Sequence, residues 1–248
     1  IWLDQLSRGD SPLYNIGGYV ELSGPLDPAL LQSALESLVA ANDALRILLL
    51  ADVGHDGLPL QGFAQALPVA MPLHDVSSQP DPQSAARTLV EAQMAQAFVL
   101  SGQALFRFSL IRLDRHRHWL AAQAHHLIID GWAFALLFKS VGEIYSTFCR
   151  GERPRMATPS YVDFIEDDAR YHQSPRYELD QRYWLDKYRS LPEPLLIARH
   201  REPLDPEAAP SCIHVEAFPA LLHERMKDTA RHLGGSAFHV LLAALHVY

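Results

Sequence analysis

Hydrophobic and polar positions change their period in the middle of the chain. Residues 117–124 alternate as a strand, which places Trp119, Ala121 and Gln123 on one face and Leu120, Ala122 and Ala124 on the other. After residue 131, apolar residues recur at three- and four-residue spacing: Phe134, Leu137, Phe138, Val141, Ile144, Tyr145 and Phe148. The two patterns predict a strand followed by a helix that ends before Gly151.

Similar patterns predict the other elements. Strands are expected at residues 15–22, 59–64, around 69–73, at 105–113 and at 213–218, and the apolar run 45–50 is typical of a buried strand. Helices are expected at 28–39 after an Asp27 cap, at 83–98, from residue 161, and at 177–191, 219–233 and 237–248. Residues 114–116 are the expected turn of a hairpin that joins 105–113 to 117–124, and 191–210 is the expected connector. The order of elements predicts an α/β fold.

The strand and the helix in the middle of the chain meet at a polar sequence, His125-His126 followed by Asp130-Gly131-Trp132. If the strand runs through the pair, adjacent side chains point to opposite faces, so one histidine should face the core and the other should face outward. A buried Asp130 would need a partner, typically an arginine, so it is interpreted as a structural carboxylate. Gly131 removes a side chain where the backbone enters the helix, so a substrate could approach the main chain there.

Arg46 lies inside the apolar run and needs an anion or an exit to solvent. One hypothesis is an ion pair with a carboxylate near the histidines, with Asp130 as the candidate, and the alternative is an arginine at the edge that reaches solvent. A metal site is not predicted, because adjacent histidines on opposite faces form a poor chelate and no helical histidine pair accompanies them.

Composition narrows the function classes. The 248 residues are 48% hydrophobic and carry 21 basic against 29 acidic residues, a net charge of −8, which disfavours nucleic-acid binding. No apolar segment reaches transmembrane length, and Cys149 and Cys212 form no disulfide framework, so a reducing cytoplasm is expected. The chain starts abruptly at Ile1 without a signal peptide, which indicates a piece of a longer protein.

The complete HHxxxDG pattern resembles the signature of the condensation domains of nonribosomal peptide synthetases, in the chloramphenicol-acetyltransferase-like superfamily. The resemblance implies that His126 is catalytic, Asp130 largely structural and Gly131 beside the reacting centre, with His125 and Trp132 in support. Three shorter segments, all partial matches, are similar to other motifs of the family: residues 1–6, residues 43–46 and the YxDF sequence at 161–164.

The resemblance implies a two-layer lobe with a mixed sheet at residues 1–174, then a linker helix, a connector and the start of a similar second lobe at 175–248. It implies amide bond formation between a donor acyl thioester and an acceptor aminoacyl thioester. Both would arrive on the 4′-phosphopantetheine of carrier proteins, with no cofactor bound by this chain and no nucleic acid or membrane as partner.

The other implied partners are an adjacent adenylation domain and the missing C-terminal lobe, without which the fragment should be inactive. Whether His126 acts as a base or orients the amine stays open. Three alternatives are an epimerisation domain of the same fold, a free-standing acyltransferase and a non-catalytic interaction module.

Overall fold

A computed structural model describes residues 1–54, 57, 59–156, 158–192 and 216–247. The chain divides into two compact units, residues 1–186 and 187–248. The first unit contains α1 (Trp2–Arg8), β1 (Asn15–Ser23), α2 (Pro28–Ala41), a 3₁₀ helix (Asp43–Arg46), β2 (Ile47–Val53), β3 (Pro59–Phe63), β4 (Leu73–Asp75), α3 (Pro82–Met94), β5 (Phe106–Arg112), β6 (Arg117–His125), α4 (Gly131–Cys149) and α5 (Tyr161–His172). Helix α6 (Pro175–Lys187) ends at the boundary, and the second unit contains α7 (Ala220–His232) and α8 (Ala237–Val247).

A four-stranded mixed sheet organises the first unit, with the order β1-β6-β5-β4. Strand β6 is antiparallel to both neighbours, with Asn15 opposite His125 and Phe106 opposite Ala124, whereas β4 is parallel to β5. The predicted hairpin of β5 and β6 is therefore confirmed. Its turn is held by Asp114, whose Oδ1 accepts hydrogen bonds from the N–H groups of His116 and Arg117.

The two faces of β6 enter different parts of the core, as the alternation predicts. Leu120, Ala122 and Ala124 belong to the large cluster that also includes the buried residues of α2 and α4. Trp119 and Ala121 pack instead with Ala86 and Val90 of α3. The α/β class with a mixed sheet is confirmed, and helices pack on both faces of β6.

Several predicted boundaries of strands and helices are wrong. The apolar run at 45–50 is not one buried strand, because its first residues close the 3₁₀ helix and β2 begins at Ile47. Strand β2 forms a two-stranded sheet with β3 and a single parallel bridge from Leu49 to Ser101, and Leu50 is exposed rather than buried. The helix predicted to end at Phe98 ends at Met94, and the strand expected near 69–73 is the short β4.

Some predictions stay untested. Most of the expected connector at 191–210, the first half of the strand at 213–218, Cys212 and Tyr248 lie outside the described residues. The proposed lobe boundary after residue 174 also stays a prediction. Within the described residues, none of the helices combines the length and the apolar character that a bilayer crossing requires.

Candidate functional site

The candidate site is a tight turn between the last residue of β6 and the first residue of α4. Strand β6 ends at His125, and a turn at 126–128 leads to Asp130, which caps the helix. Asp130 Oδ1 accepts a hydrogen bond from the Ala133 N–H at 2.7 Å, so it satisfies one of the free donors at the helix start. The sequence predicted this junction, whereas the condition that the strand runs through both histidines is not met, because the turn begins at His126.

His125 is the buried member of the pair, with 2% of its surface exposed. Its ring lies near Tyr14 and Phe98, with centroid distances of 6.1 and 6.2 Å. Burial, and secondarily the charge of His126, lower the pKa of His125 to about 4. The ring is therefore neutral near neutral pH.

Two hydrogen bonds fix the tautomer of His125. The Leu127 N–H donates to Nδ1 at 3.2 Å, so Nδ1 carries no proton and the proton lies on Nε2. Nε2 lies 3.4 Å from Oε1 of Gln5 in α1, a long hydrogen bond in which the ring donates. The buried histidine thus braces the turn that follows it.

His126 is the less buried member of the pair, in agreement with the expectation that one of the two histidines faces outward. Its backbone N–H donates to the carbonyl of Tyr14 at 2.9 Å, which anchors the main chain to the segment before β1. Among the described residues, no hydrogen bond or ion pair to the His126 ring is present. The imidazole is therefore available to a bound molecule.

Gly131 and Trp132 form the open side of the turn. A Cβ atom built on Gly131 meets nothing within 4 Å, and its backbone does not need a glycine conformation, so the space beside this residue is open. Trp132 is 76% exposed. Both observations agree with an accessible main chain, whereas the supporting role of Trp132 in the site stays a prediction.

The hypothesis that Arg46 pairs with Asp130 is wrong for the described residues. Arg46 Nη2 lies 2.5 Å from Asp43, its neighbour three positions earlier in the 3₁₀ helix, and Nη1 donates to the carbonyl of Ala64. Asp130 is exposed and acts as a helix cap. The error arose because a strand was assumed at Arg46, and a strand would not bring Asp43 and Arg46 together.

Asp43 joins two distant segments that the sequence matched separately to family motifs. Its Oδ2 accepts hydrogen bonds from the Ser160 hydroxyl at 2.8 Å and from the Tyr161 N–H at 3.1 Å, at the start of α5. These bonds, the Ser160 hydroxyl first, and the charge of Arg46 lower the pKa of Asp43. The Asp43 carboxylate therefore links the 3₁₀ helix to the start of α5 and is not part of the turn at 126–128.

Gln5 and Tyr14 belong to the surroundings of the histidine pair, and the sequence patterns did not single them out. Gln5 is the buried residue of α1 and lies three positions after Trp2, so a helical reading would have shown a polar side chain on an apolar face. Such a residue needs a partner, which here is His125. Among the described residues, no group of three or more His, Cys, Asp or Glu side chains is arranged to hold a metal ion.

Comparison with known proteins identifies the family. A family model described as "Condensation domain" matches residues 1–248. A dimodular nonribosomal peptide synthase of Bacillus subtilis (strain 168) is 29% identical over 250 residues, which cover 100% of this chain and 10% of that protein. Enterobactin synthase component F of Escherichia coli (strain K12) is 30% identical over 198 residues, covering 78% of this chain and 15% of that protein. The chain thus spans a small part of these relatives.

Solved structures agree in fold. The starter condensation domain of rhizomide synthetase RzmA superposes with a TM-score of 0.72 at 31% identity, covering 78% of this chain and 46% of that chain. A mutant of that domain has been solved in complex with C8-CoA and Leu-SNAC. The first condensation domain of the CDA synthetase gives a TM-score of 0.70 at 26% identity, covering 80% of this chain and 50% of that chain. The chloramphenicol-acetyltransferase-like fold is confirmed, and the chain belongs to the condensation domain family.

Proposed function

We propose that this chain contributes the His126 side of an active site that forms an amide bond in nonribosomal peptide synthesis. The observation that carries the proposal is the division of labour within the histidine pair. His125 is buried, neutral and held at both ring nitrogens, whereas His126 is only partly buried and its ring has no hydrogen bond or ion pair among the described residues. A general base or an orienting group needs this kind of free imidazole on a fixed backbone.

The reaction joins an acceptor amine to a donor acyl thioester. The amine nitrogen attacks the thioester carbonyl, a C–N bond forms and the C–S bond breaks. The proton lost by the amine is transferred to the departing thiolate, which leaves as a thiol. His126 either takes that proton or orients the amine, and a positioned base contributes roughly 10²- to 10⁴-fold. The open space beside Gly131 would let the reacting groups approach the turn.

Substrates and partners follow from the same proposal. Donor and acceptor would be presented on the 4′-phosphopantetheine arms of carrier proteins, beside an adenylation domain, and the chain itself would bind no cofactor. The C8-CoA and Leu-SNAC complex of the rhizomide synthetase domain supports acyl donor and amino acid acceptor chemistry at such a site. The rest of the domain would complete the active site, and the protein would act in the cytoplasm.

The test uses the full-length protein with donor and acceptor loaded on carrier proteins. Intact-protein mass spectrometry of the acceptor carrier measures amide formation for wild type, His126→Ala and His116→Ala. His116 is an exposed histidine before β6, at the opposite end of that strand from the turn, and serves as the matched control. We expect wild type and His116→Ala to form product, and His126→Ala to be slower by roughly 10²- to 10⁴-fold.

Each other outcome would replace the proposal. An active His126→Ala protein would remove the assigned role of that residue. Inversion of the acceptor α-carbon without acyl transfer would favour epimerisation. Transfer to a soluble amine or alcohol without any carrier would favour a free-standing acyltransferase. A lack of reaction with several substrate pairs would favour an interaction module.

A further inference from the structure

We propose that Gln5 is a positioning residue for the reaction, because it holds His125 in the tautomer that fixes the turn carrying His126. This inference rests on the proposed function for its effect on rate. Gln5 lies in α1, 120 residues before the histidine. Its side chain is 5% exposed. A buried amide at this place has to be satisfied on both its nitrogen and its oxygen.

The orientation of the Gln5 amide follows from its neighbours. Nε2 is placed against two carbonyl oxygens, that of Gly9 at 2.6 Å and that of Ser11 at 3.1 Å. Carbonyls accept only, so the NH₂ group has to face them. Oε1 is then left to face the ring of His125. A flipped amide would put the acceptor Oε1 against both carbonyl oxygens and the donor NH₂ group against the Nε2–H of His125.

The acceptor at Oε1 selects the protonation of the ring. With Oε1 opposite Nε2, the stable ring is neutral and carries its proton on Nε2, which leaves a lone pair on Nδ1. That lone pair accepts the Leu127 N–H. The opposite tautomer would set two N–H groups against each other at Leu127. Gln5 therefore acts on the turn through the ring of His125.

The turn in question sets the position of His126. The His125 carbonyl accepts the Ile128 N–H at 3.1 Å, and the Tyr14 carbonyl accepts the His126 N–H at 2.9 Å. The Leu127 N–H is the third backbone donor of the turn and depends on the ring of His125. Release of that donor would let the His126 main chain move while β6 and α4 stay folded. A displacement of about 1 Å at a reacting group costs up to roughly 10²-fold in rate.

The experiment compares full-length wild type, Gln5→Met and Gln5→Asn. Methionine keeps the length of the side chain without its hydrogen bonds, and asparagine keeps the amide but withdraws the oxygen from His125. Gln93→Met is the matched control, because Gln93 of α3 is another partly buried amide whose Oε1 accepts from the Ser109 hydroxyl, away from the turn. Hydrogen exchange by mass spectrometry measures the peptide spanning residues 124–131, and carrier-based kinetics give kcat and KM separately.

We expect both Gln5 variants to raise exchange in that peptide by about tenfold, as for the loss of one hydrogen bond. We expect kcat to fall by about 10- to 100-fold with KM for the loaded carriers unchanged, while Gln93→Met changes neither quantity. If Gln5→Met loses protection throughout the first unit, Gln5→Asn decides. Unchanged local exchange in Gln5→Asn, or a loss of rate that arises only through KM, would overturn the role.

The exchange measurement separates this inference from the proposed function. If the wild-type protein forms no amide, the proposed function fails, whereas the exchange rates still show whether Gln5 holds the turn. If the wild type is active and the turn is unaffected by either Gln5 variant, the inference fails alone.

Discussion

His125 shows how the environment of one residue assigns roles within a pair of identical side chains. Its ring is buried against Tyr14 and Phe98, and its two nitrogens are occupied by the Leu127 N–H and by Gln5. A proton added to Nδ1 would face another donor, and the charge would lie in an apolar setting. The buried histidine is therefore unsuited to proton transfer, which supports the role proposed for His126.

The low pKa of His125 makes stability depend on pH. The pKa is about 4 in the folded state, against 6.5 for the free side chain, so between these values only the unfolded chain binds the proton. Stability is therefore complete above about pH 6.5 and is lost as pH falls toward about 4, with a difference of roughly 2 kcal/mol between about pH 7 and about pH 5. The opening free energy of the most protected β6 amides, from hydrogen exchange, measures it.

His125→Asn is the control for this pH dependence, because asparagine offers an acceptor to the Leu127 N–H and does not titrate. The other histidines contribute equally to the pH dependence of stability in wild type and in His125→Asn. The difference between the two curves of stability against pH therefore gives the contribution of His125. Parallel curves for wild type and His125→Asn would show that the ring is not held neutral by the fold.

Asp130 has a smaller expected effect than a buried ion pair would have. Because its carboxylate caps α4 through the Ala133 N–H, Asp130→Ala should lower the opening free energy of the first turn of α4 by about 1 kcal/mol. Asp130→Asn should stay close to wild type, since asparagine also caps helices. Hydrogen exchange in the peptide at 131–136 tests this. A loss of several kcal/mol in both variants would instead indicate a lost ion pair.

At the scale of elements, β1 and α3 contact each other at Gly17, where there is no room for a side chain larger than hydrogen. A Cβ atom on Gly17 would lie 2.4 Å from Met94 Sδ and 2.7 Å from the Ala122 carbonyl oxygen. The methionine tip could move, but the carbonyl belongs to β6 and is held by the sheet. Gly17 therefore sets how closely the end of α3 approaches β1 and β6.

The neighbouring Gly18 provides a matched comparison, because a Cβ atom there meets nothing within 4 Å. Gly17→Ala should cost roughly 1–3 kcal/mol of stability through overpacking, whereas Gly18→Ala should be neutral or slightly stabilising. Hydrogen exchange of the β1 and β6 peptides in the full-length protein measures both. Equal effects of the two substitutions would contradict this account of the contact.

Elements with a strong local period were predictable from the sequence, and so was the pairing of two strands joined by a short turn, but partners distant in the chain were not. The faces of β6, the face of α4 and the β5–β6 hairpin follow from alternation, helical spacing and a turn rich in polar residues. The 3₁₀ helix before β2 was missed because an apolar run looks the same in a strand and in a tight turn. Consequently the partner of Arg46 was assigned wrongly.

At the scale of the whole molecule, the family could be predicted from HHxxxDG, whereas the contacts that support the turn at 126–128 could not. Gln5 lies 120 residues from His125, and no local pattern relates them. The link from Asp43 to Ser160 spans 117 residues for the same reason. Such contacts are decided by the packing of α1, the sheet and α5, which only the folded chain reveals.

The register of β1 against β6 also sets the order of events during synthesis. Asn15 of β1 pairs with His125 of β6, so β1 cannot pair before β6 has been synthesised. In the described part of the chain, β6 is the strand next to β1. At roughly 5–20 residues per second, the interval is on the order of 5–20 s. During that time both edges of β1, with Tyr19, Val20 and Leu22, are unpaired. Nascent chains on neighbouring ribosomes would then find in β1 a template for pairing with each other.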